Sequence, residues 1–285
     1  MREVSNFARD MDKVPFDIQI FHIAQTDSTN EEAKRRWTLS LRHKPNGGRR
    51  RILCVRADYQ TAGRGQKGAR WEAEWGKNLL FSVLVEPRNI PMERAFVLSQ
   101  AMALAVHDAV SACIEGQACE MGLPQGIARR ASIKWPNDVY YGERKMSGTI
   151  IETTVQGREV SRCVIGVGVN VNQRVFRSDA PNPVSLCSVL GCDVEIESLL
   201  REVLSGFQNN LMLAELGGGE IGERYVEHLM RREGLHCYRD AQGVFEAEFV
   251  GVEHDGHLLL RDTAGRLRRY YFKEVRHVFR EMETE

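Results

Sequence analysis

Three segments between residues 131 and 172 are rich in β-branched residues: Ile133 to Trp135, Thr149 to Val155 and Arg162 to Val171. Turn-forming residues, with no apolar helical stripe, separate them. A parallel βαβ repeat needs a crossover helix at such joints, so this part of the chain is expected to fold as consecutive hairpins, not βαβ units. Leu79 to Val85, closed by Pro87, reads as a buried strand, and Ile52 to Val55 as a strand behind the loop-like His43 to Arg51. Apolar residues at helical spacing predict a main core helix over Glu93 to Ile114, a second over Glu197 to Leu216, and a third around Tyr225 to Leu229 ending near Gly234. Beyond Gly234 the punctuation changes. Val244 to Val252, Leu258 to Arg261 and Arg268 to Phe272 are short strands broken by Gln242-Gly243, Asp255-Gly256 and Ala264-Gly265, the pattern of a small β-barrel. The fold class expected is α+β: a mixed, largely antiparallel sheet with helices, followed by that barrel.

Composition narrows the function classes. The 285 residues suit one large domain and one small one. Thirty-nine basic side chains balance 39 acidic ones, which removes a bulk electrostatic case for nucleic acid or anionic membrane, and no DNA-reading helix is visible. No stretch is read as approaching the roughly 20 apolar residues of a membrane span, and the N-terminus mixes charges where a signal peptide would be apolar. A cytoplasmic protein is expected. The 7 cysteines form no CxxC pair and are read as reduced, mostly buried thiols.

The chemistry-bearing residues gather in separate segments. Gly63, Gly65 and Gly68 satisfy G-x-G-x-x-G, yet residues 69 to 78 carry no helical stripe and lead into a strand, against a dinucleotide fold. The loop does offer Arg64, Lys67 and Arg70 on a backbone whose N–H groups can approach an anion. Lys134, Asn137, Asp138 and Lys145 crowd a turn between two strands, where Asp138 and Lys145 could equally be an exposed cross-strand ion pair. Ser28 or Thr29 is placed to cap a helix starting near Glu31. Asn170 and Asn172 end an apolar strand, where a simple turn is the competing explanation.

Taken in order, DSTN at 27 to 30, YQTAGRGQKGARW at 59 to 71, KWPNDVYYGERKMSG at 134 to 148 and GVGVNVN at 166 to 172 resemble biotin protein ligase, also called biotin–[acetyl-CoA-carboxylase] ligase. The resemblance runs from Phe21 to Val278 and implies the class II aminoacyl-tRNA synthetase-like ligase fold. It divides the chain into an extension (1–17), a catalytic biotin- and ATP-binding domain (18–232) and an SH3-like C-terminal domain (233–285), where Lys273-Glu274-Val275 stands for the family's Gly-Glu-Val. Only some twenty unpatterned residues precede Phe21, so the chain looks like the short class without a DNA-binding domain.

The resemblance implies that biotin is joined to ATP as biotinyl-5′-adenylate and then passed to a lysine of a biotin carboxyl carrier protein or domain, with Mg2+ accompanying the triphosphate. A homodimer is compatible with it. By the same resemblance Lys145, Arg64 and Asp138 are catalytic. Ser28, Thr29, Asn30, Gln60, Gly63, Arg64, Gly65, Gln66 and Lys145 contact biotin, and Arg64, Trp71, Asn137, Lys145 and Asn170 contact ATP. No metal ligand is assigned, and His254 to His257 is read as a solvated turn. Gln66 replaces a second arginine common in the family, and Met146-Ser147 a Leu-Ala or Leu-Ser pair. The alternatives are a lipoate–protein ligase of the same fold, although its Arg-Arg-x-x-Gly-Gly-Gly motif is absent, and a non-catalytic biotin- or nucleotide-binding sensor.

Overall fold

A computed structural model of the chain describes residues 16–40, 49–63, 65, 71–122, 124, 126–177 and 182–279. Its first three elements depart from the hairpin expectation. Strand β1 (Phe16–Thr26), helix α1 (Thr29–Ser40) and strand β2 (Arg50–Gln60) form one βαβ unit, because β1 pairs with β2 in parallel. The sequence pattern missed β1 because, apart from buried Phe16, its residues are half-buried or exposed, which leaves no continuous apolar run to read. Every later pairing of this sheet is antiparallel. Strands β3 (Leu79–Val85), β4 (Ala131–Lys134), β5 (Asp138–Tyr141), β6 (Arg144–Gln156) and β7 (Glu159–Val169) complete seven strands in the order β1-β2-β3-β7-β6-β5-β4. The polar stretch after Trp135 is thus itself a strand, β5, between two tight turns.

The period-2 alternation of a strand assigns each residue of this sheet to one of two faces. Phe81, Val83 and Val85 of β3 and Ile165, Val167 and Val169 of β7 join the main hydrophobic cluster. Against it lie helix α2 (Phe96–Glu120) and, after the short helix α3 (Leu186–Leu190), helix α4 (Ile196–Glu215), with helix α5 (Gly219–Glu227) beside them. Because α2 is covered by both the sheet and α4, it is buried almost all round, and this corrects the sequence expectation about membrane spans. Met92–Glu120 is apolar and long enough to meet that test, but 72% of its apolar window is buried inside the fold, where each fully buried Leu or Val contributes about 1.5–3 kcal/mol. The opposite face carries a smaller cluster, Ala33 and Trp37 of α1 on Leu53, Val55, Leu84 and Val164. That second face is where many of the site residues expected from the sequence collect.

After Gly234 the chain forms β8 (Leu235–Asp240), β9 (Gly243–Val252), β10 (Leu258–Asp262), β11 (Leu267–Tyr270) and β12 (Arg276–His277), an antiparallel sheet in the order β11-β10-β9-β8-β12. Among the described residues its edge strands β11 and β12 do not pair with each other, so the sheet is open where a closed barrel was expected. Its inner face packs on the first unit. Trp135 Nε1 donates to the Gly256 carbonyl at 3.0 Å, and Phe272 lies 5.4 Å from the Trp135 ring and 5.6 Å from that of Phe96. The turn at 254 to 257 is therefore only partly solvated. Gly256 has φ +94°, and a Cβ there would sit 2.8 Å from Phe96, so a backbone conformation and a close approach both require glycine. All seven cysteines are free. Cys54, Cys163 and Cys187 are buried, three others are half-buried and Cys119 is exposed, so fewer are hidden than expected.

Candidate active site

Two ladders bring the dispersed motifs together. The parallel β1/β2 pairing continues past the strands through Thr61 N–H to Thr26 O and Ala62 N–H to Asp27 O, both 2.9 Å, which sets Ser28 to Asn30 beside Gln60 to Gly63. The β3/β7/β6 ladder aligns Ser82 with Gly166, and Gly168 with Gly148. Ser82, Gly166, Gly168 and Gly148 lie on the α1 face of the sheet, in line with Leu84 and Val164. Glycines where neighbours carry Leu and Val leave a shallow trough next to the start of α1.

One end of the trough is polar and buried. Ser28, Thr29 and Asn30 are each less than 9% exposed. Thr29 donates to Gln60 Oε1 through its backbone N–H at 2.8 Å and its hydroxyl at 3.1 Å, so its side chain serves the trough instead of capping α1. The Ser82 hydroxyl lies 2.7 Å from Thr29 Oγ1 and 2.5 Å from Asn30 Oδ1, and Asn30 Nδ2 donates to Glu152 Oε1 at 2.9 Å. Glu152 in turn holds Lys34 at 2.7 Å. Asp27 accepts from Arg35 and from Ser28 N–H, and the Arg35 guanidinium holds its carboxyl well below the usual carboxylate range.

The other end is charged. The β5/β6 register slips between Val139 and Tyr140, a bulge that turns the side chain of Lys145 to the glycine face when strict alternation would oppose it to Gly148. Lys145 Nζ lies 2.6 Å from Asp138 Oδ2 and 5.8 Å from the centre of the Trp71 ring, and would lie 3.2 Å from a Cβ at Gly148. Trp71 is held by its N–H to Gly63 O at 3.1 Å, and its indole covers Gly148 and Gly168, where added Cβ atoms would approach ring carbons at 2.7 and 2.5 Å. Lys134, opposite Asp138 in the ladder, is pushed below the ordinary lysine pKa by burial, with Lys145 and Arg231 adding to the effect and Asp138 opposing it.

Asn170 and Asn137 sit at the margin. The Asn170 amide donates to Val184 O at 3.2 Å and Lys145 O at 3.4 Å, fixing the backbone that carries Lys145. Asn137 Nδ2 donates to Ser99 of α2 at 2.9 Å, which leaves its buried Oδ1 without a partner among the described residues, as is Trp71 Nε1. Buried polar atoms left so cost about 1–3 kcal/mol each, a common mark of a ligand contact. Gly63 and Trp71 form the neck of a loop in which Arg64 and Gln66, with Lys67, Gly68 and Arg70, fall outside the described residues; Gly65 is described, but no contact of its own is seen. No helix follows the loop: Trp71 runs through a turn into β3, so the G-x-G-x-x-G match is not a dinucleotide fingerprint.

A model described as the Biotin/lipoate A/B protein ligase family matches residues 23–170, which hold every segment of this site. The chain belongs to that family. Within the Biotin/lipoate A/B protein ligase family it is 30% identical over 256 residues to the biotin–[acetyl-CoA-carboxylase] ligase of Paracoccus denitrificans, covering 86% of this chain and 95% of that one. It is 24% identical to the bifunctional ligase/repressor BirA of Bacillus subtilis, covering 89% of this chain and 73% of the relative. The structure of biotin protein ligase from Aquifex aeolicus in complex with biotin and ATP superposes with a TM-score of 0.68 at 24% identity, over 91% of this chain and 99% of that one. The shared fold includes the second sheet.

Sequence reasoning gave no role to the residues that build this family member's trough from the sheet side: Ser82 and Glu152, which it did not single out, and Gly148, Gly166 and Gly168, which stood within its quoted motifs. The available signal was Gly166 and Gly168 two apart on one strand, which period 2 puts on a single face. Glu152 looked like an ordinary exposed strand residue, and only the fold sets it beside Asn30. Glu152→Ala is expected to raise the KM for the small acid substrate about tenfold, near 1.4 kcal/mol, with the KM for ATP unchanged. Glu152→Gln, which still accepts from Asn30, should recover most of the loss. Steady-state kinetics on both variants check this, and equal changes in the two KM values would count against it.

Proposed function

We propose that this chain is a biotin protein ligase: it joins biotin to ATP as biotinyl-5′-adenylate, releasing pyrophosphate, and transfers the biotinyl group to a lysine amine of a biotin carboxyl carrier protein or domain, releasing AMP. The observation that carries the reading is one trough with a buried hydrogen-bonding end at Thr29, Asn30, Gln60 and Ser82 and a fixed ammonium, Lys145, at the other. A ureido ring, with two N–H donors and a carbonyl, suits the first end, and a carboxylate approaching an α-phosphate suits the second. The relatives named for biotin ligation support the same assignment.

In this reading Ser28, Thr29, Asn30 and Gln60, with backbone at Gly63 and Gly65 and the loop residues Arg64 and Gln66, take biotin. Trp71 offers an aromatic face to adenine, Asn137 Oδ1 an acceptor, and Asn170 acts by holding Lys145. Lys145 exchanges Asp138 for the two anionic oxygens that must meet during adenylation, stabilising charge where it accumulates. Asp138, freed by that exchange, accepts a proton from the incoming carrier amine. Magnesium arrives as MgATP. Residues 18–232 are the ligase unit and 233–285 an SH3-like domain, its described strands forming an open sheet, whose Gly256 turn braces Trp135. The chain works in the cytoplasm.

The test is pyrophosphate release with biotin and with lipoate at equal concentration, followed by transfer of labelled biotin to an isolated carrier domain. A site built on buried hydrogen-bonding groups rejects an analogue lacking them by roughly 10⁴-fold. Comparable kcat/KM values for the two acids would overturn the assignment in favour of a lipoate ligase. Tight biotin binding without pyrophosphate release would make the protein a sensor.

A further inference from the structure

Away from the trough, where α2 meets β4 and the end of α5, two histidines and a carboxylate converge. His107 and Asp108 lie in the middle of α2, and His228 follows directly on α5. His107 Nδ1 is 3.0 Å from Asp108 Oδ1, the His107 and His228 rings are 4.2 Å apart between centres, and one donor atom from each of the three residues lies within 4.8 Å of the others. Four ligands at about 2.0–2.2 Å around a tetrahedral ion stand roughly 3.3 Å apart, so small side-chain rotations close the set.

The surroundings orient each ligand. His107 is 5% exposed, and its Nε2 lies 3.4 Å from the Ala131 carbonyl. An N–H donated there leaves Nδ1 as the free lone pair, the arrangement metal-binding histidines use. Asp108 is anchored through its other oxygen, Oδ2, to Arg224 at 2.7 Å, and Arg224 also donates to Asn210 Oδ1. We propose that His107, Asp108 and His228 bind a borderline-soft divalent transition ion of the Zn2+ or Co2+ class, with water as the fourth ligand, independently of the ligase reaction. Two imidazoles and one carboxylate suit such ions and not Mg2+ or Ca2+, which prefer all-oxygen sets.

Occupancy would tie the middle of α2 to the segment that pairs with β4. His228 O accepts from Ile133 N at 2.7 Å, and Met230 N donates to Ile133 O at 2.8 Å. The ion would thus staple α2 to the strand that leads into Trp135, Asn137 and Asp138. A second cluster, Glu253, Asp255 and His257, carries no such inference. Its carboxylates hold Arg269 at 2.6 and 2.9 Å.

The experiment uses the full chain, stripped with chelator and free of nucleotide, titrated with Zn2+ by calorimetry and with Co2+ by visible absorption. One equivalent should bind, with absorption bands of four-coordinate Co2+ and a rise in Tm on adding Zn2+. His228→Gln and Asp108→Asn, which alter half-exposed side chains and spare buried His107, should each weaken binding at least about tenfold, 1.4 kcal/mol, with unchanged circular dichroism. Wild-type affinity in either variant overturns the proposal and points to cysteine ligation. So does binding well below one equivalent.

Discussion

Lys145→Ala lowers kcat/KM for pyrophosphate release from biotin and ATP by about 10²- to 10³-fold, the range for removing one preorganised charge-stabilising donor, while Tm stays close to that of the unaltered protein. The two expectations separate because the backbone of Lys145 is fixed independently of its side chain. Its N–H donates to Asn182 O at 2.8 Å and its carbonyl accepts from Val184 N at 2.9 Å. Among the described residues the side chain reaches Asp138, Trp71 and the glycine floor, and it is about a quarter exposed, so truncation opens no core cavity. Asp138 is only 17% exposed, but Lys134 stands opposite it in the ladder and offsets part of the cost of losing its partner. Steady-state kinetics with a parallel thermal melt decide the matter. A loss under tenfold would remove Lys145 from the reacting centre.

Gly166→Ala raises the KM for biotin on the order of 100-fold, near 2.7 kcal/mol, and destabilises the fold by about 1–3 kcal/mol, the usual cost of overpacking. A Cβ at Gly166 would stand 2.2 Å from Asn30 Oδ1 and 3.0 Å from its Cγ. Asn30 cannot step aside cheaply, since Ser82 and Glu152 hold its amide from both sides. The substitution therefore expels the side chain that organises the polar end of the trough. A double variant separates the two effects, because such neighbours are coupled and not additive. Adding Asn30→Ala to Gly166→Ala should restore Tm and leave the KM for biotin high. Equilibrium unfolding and kinetics on the single and double variants measure both quantities. Restored affinity in the double variant would show that Asn30 only crowds the pocket.

Much of this protein was legible in its sequence. The strand Leu79 to Val85 matches residue for residue, the helix expected over Glu197 to Leu216 is displaced by one residue, the main core helix starts three residues later and runs six residues beyond its expected end at Ile114, and the hairpin meander and the change of pattern after Gly234 are as expected. These features are local: period, turn residues and caps act over a few residues, and an apolar stripe is visible wherever a single face is buried. Of the motif residues, Asp138 and Lys145 were marked by a density of polar groups and Thr29 by its place before a helix, whereas Gln60 and Trp71 were named only through the family resemblance.

Other features arose only from chain segments meeting at a distance. The parallel pairing of β1, a strand with no apolar run, depends on β2 more than thirty residues away. Open strand pairing in the second unit, where a barrel was expected, depends on which edges meet. Glu152 and Ser82 acquire roles because α1 delivers Asn30 onto β3, β6 and β7. The sequence by itself determined which residue types are available and which local elements they form. Tertiary structure alone decided which face of the sheet those residues share, because a face is set by register and bulge, and one slipped residue at Val139/Tyr140 is what turns Lys145 toward the glycines.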